Sequence, residues 1–186
     1  MNTIQTKNIA ILVALIALMA ATRSHHFDTL THMPDASLAA FLLAGFYLPT
    51  LALPLLLGVA GCADYFAFNY AGVSDWCFSP AYWFLIPTYA VMWSAGRFYR
   101  VRHSQTLQSL ALFGAIALVA TSIAFVISSG SFYLFSGRFA DMTALQYAGS
   151  VSQYYVPYLI SAFMYLSVAV GIQIAAEHSS RRAAHG

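Results

Sequence analysis

Apolar residues run along this chain in long windows, at roughly 8–22, 36–72, 78–96, 107–128 and 153–176. A helix that crosses a bilayer needs about 20 residues, so the 36–72 window is too long for one crossing. Pro49 and Pro54 fall inside it, and a proline in mid-helix removes a backbone donor and breaks or kinks the helix. Division there predicts spans at about 36–49 and 51–71. The expected fold is therefore an all-α bundle of six transmembrane helices, at about 8–22, 36–49, 51–71, 78–96, 107–128 and 153–176. The second span is short and is expected to tilt or to pack among its neighbours.

Charge supports that count. With six spans and both termini cytoplasmic, the inner segments hold Lys7, Arg97, Arg100, Arg102, Arg181 and Arg182, and the outer segments hold only Arg23 and Arg138. This obeys the positive-inside rule, whereas five spans would put Arg97, Arg100 and Arg102 outside. The outer side then consists of loops at roughly 23–35, 72–77 and 129–152. The third is rich in Gly, Ser and aromatics, and a loop of that length is often a lid or a binding loop. The first apolar window follows a charged start, as in a signal peptide. The five apolar segments after it favour an uncleaved first span.

Composition closes off other classes. The 186 residues are 60% hydrophobic and 8% charged, with mean hydropathy +0.70. A soluble domain carries about 25% charged residues, so a soluble enzyme, a nucleic-acid binder and a disordered chain are excluded. The expectation is one domain over 1–186, multi-pass in a bilayer. There is no GxxxxGK[ST] motif to cradle a nucleotide, no HExxH and no CxxC. The net charge of +2 suggests no polyanionic partner.

A few residues could carry chemistry. Asp64 lies within the third span, where a carboxylate costs a few kcal/mol and marks a wet cavity or the bundle interior; alternatively it only hydrogen-bonds a neighbouring Tyr or Ser. Cys77 stands at the outer mouth before the fourth span, with Pro80 suited to that helix's first turn. Near a helix N-terminus its thiolate becomes available as a ligand or nucleophile, or it simply fills a gap as a small hydrophobe. Cys62, deep in a span, reads as packing. His25 and His26, at the outer end of span one, suit a metal or an anionic or amide-rich ligand, or are interface residues at headgroup level. The Arg97, Arg100 and Arg102 cluster reads as a topology determinant.

Aromatics crowd the outer end: Tyr65, Phe66, Phe68, Tyr70, Trp76, Phe78, Tyr82, Trp83, Phe132, Tyr133, Phe135, Tyr147, Tyr154, Tyr155 and Tyr158. Part of this is the interfacial belt. The excess over the inner boundary fits the mouth of a cavity for a large, partly apolar ligand. Ala10, Ala14, Ala17 and Ala21 share one face of span one, and small residues at this spacing allow close helix approach in lipid.

The topology, the alanine spacing and the stretch GCADYFAFNYAGVSDWCFSPAYW, with TRSHHF before it, resemble the BtuM-type S-components for vitamin B12 of energy-coupling factor (ECF) transporters. The resemblance implies a substrate-binding subunit of the bacterial inner membrane that takes up cobalamin or cobinamide in an outward cavity. It implies that Cys77 ligates the corrin cobalt, that Asp64 and Tyr82 hold polar groups of the corrin periphery, and that His25 lies beside the cavity. His26, Tyr70, Trp76 and Phe78 are grouped with them as ligand-contacting residues. The Ala10, Ala14, Ala17 and Ala21 face would dock on the transmembrane scaffold of the ECF module, which also carries two cytoplasmic ATPase subunits. Thiolate ligation would displace an axial ligand such as cyanide, and Cys77 would be catalytic only in that sense.

The alternatives are an S-component for another vitamin, which would have no use for a thiolate, and a small membrane enzyme using Cys77 or Asp64. No group is spaced to activate Cys77 as covalent catalysis requires, and no His lies clearly within a span to hold a haem.

Overall fold

The computed structural model describes residues 3–23, 34–70 and 79–185, which form helices joined by short connections with no strand among them. The order is α1 (Thr3–Arg23), α2 (Ser37–Tyr47), α3 (Ala52–Tyr70), a 3-10 turn (Pro80–Phe84) running into α4 (Leu85–Arg100), α5 (Leu107–Phe135), α6 (Ala144–Val151) and α7 (Tyr155–His185). A helix occupies each of the six apolar segments expected from hydropathy. Three stretches are long and apolar enough to cross a membrane: Gln5–Arg23, Leu107–Phe135 and Ala144–Ser179.

The distribution of side chains is that of a protein whose solvent is lipid. On α5 the buried residues other than Phe113 are small or hydroxylic, among them Ala117, Ala120, Thr121 and Ala124, while Val119 and Val126 face outward at 58% and 67% exposure. A helix apolar all round, with its small residues turned inward, packs by close approach rather than by hiding hydrophobic surface from water. The centre of the bundle is α2, buried continuously from Ser37 to Gly45. Its 11 residues make a rod of roughly 16 Å, so it is short, as its proline-bounded window implies.

The most extensive helix pair is α2 with α4, and two glycines make it possible. A Cβ on Gly45 would lie 2.0 Å from the Trp93 carbonyl oxygen, and one on Gly96 would lie 2.0 Å from that of Leu42. Each helix thus presents its glycine to the other's backbone. Phe41 stacks on Tyr89 with ring centroids 4.4 Å apart, which continues the same seam toward the start of α2.

Two expectations are corrected. The segment 129–152 is not a loop: α5 continues to Phe135, and only 136–143 separates it from α6. No proline interrupts α5, and Gly137 takes φ 70° just past the helix end, the left-handed position that glycine fills at least cost. Helix α6 then opens on a capping box. Thr143 Oγ1 accepts from the Gln146 amide at 3.3 Å, and Gln146 Oε1 accepts from the Thr143 amide at 2.9 Å. Thr143→Ala is expected to cost about 1 kcal/mol and to lower the thermal midpoint in detergent modestly; an unchanged midpoint would show that packing alone holds α6. The second correction is Cys62, which is exposed rather than packed, because α3 turns that face away from the other helices. Ala10, Ala14, Ala17 and Ala21 are likewise exposed, so that face of α1 makes no internal packing.

Candidate functional site

Five elements bring charged and hydroxyl groups together at one end of the bundle. Arg23, the last residue of α1, is 8% exposed. Its Nε donates to Asp64 Oδ1 at 2.5 Å and its Nη2 to Asp64 Oδ2 at 2.7 Å, a bidentate pair from α1 to α3. Its Nη1 donates to Ser37 Oγ at 2.9 Å on α2 and to the Tyr89 hydroxyl at 2.7 Å on α4. Asp35 stands 4.0 Å from Nη1. Tyr82, in the 3-10 turn, donates its hydroxyl to Asp64 Oδ2 at 2.5 Å.

Local structure explains how the chain reaches this arrangement. The segment entering α2 is held from two sides: Ala36 N donates to Thr22 Oγ1 at 3.0 Å, and on α7 Ser161 Oγ and Tyr165 OH donate to the carbonyls of Asp35 and Pro34. Asp35 Oδ1 accepts from both the amide and the hydroxyl of Ser37, tying down the first turn of α2. A planar guanidinium suits this position, because its fork satisfies one carboxylate bidentately and still reaches two hydroxyls. A carboxylate offers about four acceptor positions. Among the described residues three are taken on Asp64, which leaves one on Oδ1.

Beside this network opens a cavity of about 720 Å³, within the range of roughly 300–1,000 Å³ typical of ligand pockets. Arg23, Asp64 and Tyr82 form one wall. Phe125, Phe132 and Tyr158 supply apolar and aromatic surface, and Ser128, Ser129, Ser150 and Gln153 line the far side. The α5–α6 hairpin that carries much of this wall is braced by Tyr147 OH on the Ser129 carbonyl at 2.9 Å and by Tyr133 OH on the Met142 carbonyl at 2.8 Å.

Of the residues expected from sequence, Asp64 and Tyr82 are brought together and face the cavity. Tyr70 ends α3. His25, His26, Trp76, Cys77 and Phe78 lie outside the described residues. The outer aromatics divide: Phe132, Tyr147 and Tyr158 line the cavity, Tyr154 borders it while remaining exposed, and Tyr65, Phe66 and Trp83 are exposed, as a membrane belt would be. Arg23 and the serine wall went unread. Arg23 counted only as a loop charge, although an opposite charge in a nearby span at the same end of the bundle is its natural partner. The loop expected at 129–152 takes in Ser129 and Ser131 of α5 and Ser150 of α6. Among the described residues no group of three or more His, Cys, Asp or Glu is placed to hold a metal ion. No protein-family model matches the chain, and no curated protein is significantly similar to it.

Proposed function

We propose that this chain is the substrate-binding membrane subunit of a vitamin B12 uptake system, an S-component of the BtuM type. In this reading it crosses the bacterial inner membrane six times with both termini cytoplasmic, and it works with an ECF scaffold and two ATPase subunits. The observation that carries the reading is the cavity of about 720 Å³ with Asp64 and Tyr82 joined on its wall. A corrin has an apolar macrocycle and a rim of amide side chains. Phe125, Phe132 and Tyr158 suit the former. The free acceptor position on Asp64 and the hydroxyls and amide of Ser128, Ser129, Ser150 and Gln153 suit the latter.

Cys77 precedes Ser79 by two residues and Tyr82 by five in the chain, and it is the proposed axial ligand to cobalt. A thiolate is a soft, strongly donating ligand. Its sulfur supplies the electron pair of the new bond, the former axial ligand departs with its own pair, and the cobalt oxidation state is unchanged. Cyanide loss from cyanocobalamin follows as ligand exchange. An acid–base role for Asp64 fits less well, since three of its acceptor positions are already committed to Arg23 and Tyr82.

The test is the visible absorption spectrum of the detergent-purified protein with added cyanocobalamin, for wild type and Cys77→Ala. Corrin bands retained by both but shifted only in the wild type are expected. Identical bands in the two proteins would remove the thiolate from cobalt, and no retained corrin would overturn the assignment.

A further inference from the structure

A second concavity lies at the opposite end of the bundle, between the last turns of α2 and α4, the first turns of α5 and the distal half of α7. It encloses about 390 Å³ and shares no residue with the cavity beside Arg23. Its floor is apolar, formed by Phe46, Leu110, Phe113 and Val170. The floor runs out to Leu107 and Ile174, which are 82% and 47% exposed, so the mouth is continuous with the apolar outer face of the helices. One rim is polar and ordered in advance: the Tyr47 hydroxyl donates to Gln173 Oε1, and Gln173 Nε2 donates to Glu177 Oε1 at 3.1 Å.

That chain of hydrogen bonds ends on a carboxylate. Gln173 is its one donor among the described residues, and no described cation lies within ion-pair distance of it. Glu177 lines a pocket whose lining is hydrocarbon at Leu43, Phe46, Leu110, Phe113 and Val170 and polar at Ser104 and Thr106. His103 and His178 also border it, but His103 Nδ1 is engaged by the Tyr99 hydroxyl at 3.0 Å, and Tyr99 OH in turn meets Ser109 Oγ at 3.0 Å. Among the described residues that line the pocket, Glu177 is the one acidic side chain and none is Lys or Arg.

We infer that this pocket binds an amphiphile with a primary ammonium head, the chemistry of an aminophospholipid, with the ammonium on Glu177 and the chain along Leu110 and Ile174. A buried or half-buried carboxylate is more favourable with a cation than without one, and an apolar groove opening on the lipid face admits an acyl chain without exposing it to water. The site is independent of the cavity beside Arg23 and of what that cavity carries.

The experiment is native mass spectrometry of the full chain, stripped of lipid in maltoside detergent and titrated with phosphatidylethanolamine, phosphatidylglycerol or free ethanolamine. Retention of phosphatidylethanolamine over phosphatidylglycerol is expected. Glu177→Gln should weaken it by about tenfold, the size of one charge-assisted hydrogen bond. Leu110→Trp, which fills the floor and leaves the carboxylate in place, should weaken it comparably. Equal retention of the two lipids, an unchanged Glu177→Gln or Leu110→Trp variant, or displacement of the lipid by free ethanolamine at equal concentration would each overturn the inference.

Discussion

Gly45→Ala and Gly96→Ala are each expected to reduce stability by about 3 kcal/mol or more, the upper end of what overpacking costs, and their combination to prevent recovery of folded protein. The added methyl group would stand 2.0 Å from a backbone carbonyl oxygen in either case, and it would also crowd the neighbouring backbone: Trp93 C at 2.8 Å from the Gly45 position, Phe46 N at 2.8 Å from the Gly96 position. No rotamer change relieves such a clash. The helices themselves must part, and α2 is held by its neighbours along almost its whole length. Gly114 is the control, a helical glycine with nothing within 4 Å of an added Cβ, so Gly114→Ala should leave stability within about 0.5 kcal/mol of wild type. The thermal midpoint in detergent is the readout. A Gly45→Ala protein melting with the wild type would show that α2 and α4 can separate without loss.

The second large effect belongs to Arg23 and Asp64. Arg23→Met leaves the Asp64 carboxylate in the bundle with only Tyr82 donating to it among the bonds described, and Asp64→Leu leaves a buried guanidinium facing Asp35 at 4.0 Å. Removing one partner of a buried ion pair costs about 3–5 kcal/mol, because the other charge is stranded. The double substitution Arg23→Met with Asp64→Leu removes both charges and should recover most of that loss. The double-mutant cycle is then strongly non-additive. Losses that simply add would mean that the two side chains contribute separately, through Ser37, Tyr89 and Tyr82, rather than as a pair. The double variant also separates fold from ligand: it should fold, yet it lacks the acceptor that the corrin reading assigns to Asp64.

Much of the fold was legible in the residues. Pro49 and Pro54 divide the long apolar window because a proline cannot donate to the helix ladder, and α2 and α3 meet across Leu48–Leu51 as that division implies. Asp64 was conspicuous because a carboxylate in an apolar span is costly, and Tyr82 joined it through the resemblance of its surrounding stretch. The end of α5 is misplaced by sequence, since Ser129, Gly130 and Ser131 look like loop residues in water. In a bundle their small side chains fit the inward face of a helix, and the hydroxyls become the wall of a cavity.

Hydropathy and charge alone therefore determined that the chain is helical and apolar enough for a bilayer, roughly where its six apolar helices lie, and that Asp64 needs a reason to exist. Those properties are local, because the transfer of a segment into lipid depends on that segment's own side chains and its own backbone hydrogen bonds. Only the packed bundle decided that Arg23 is the partner of Asp64, that Gly45 and Gly96 meet across a seam, that Cys62 faces outward, and that two cavities lie at opposite ends. These depend on how each helix is rotated and how closely two backbones approach, and both are set jointly by residues far apart in the chain.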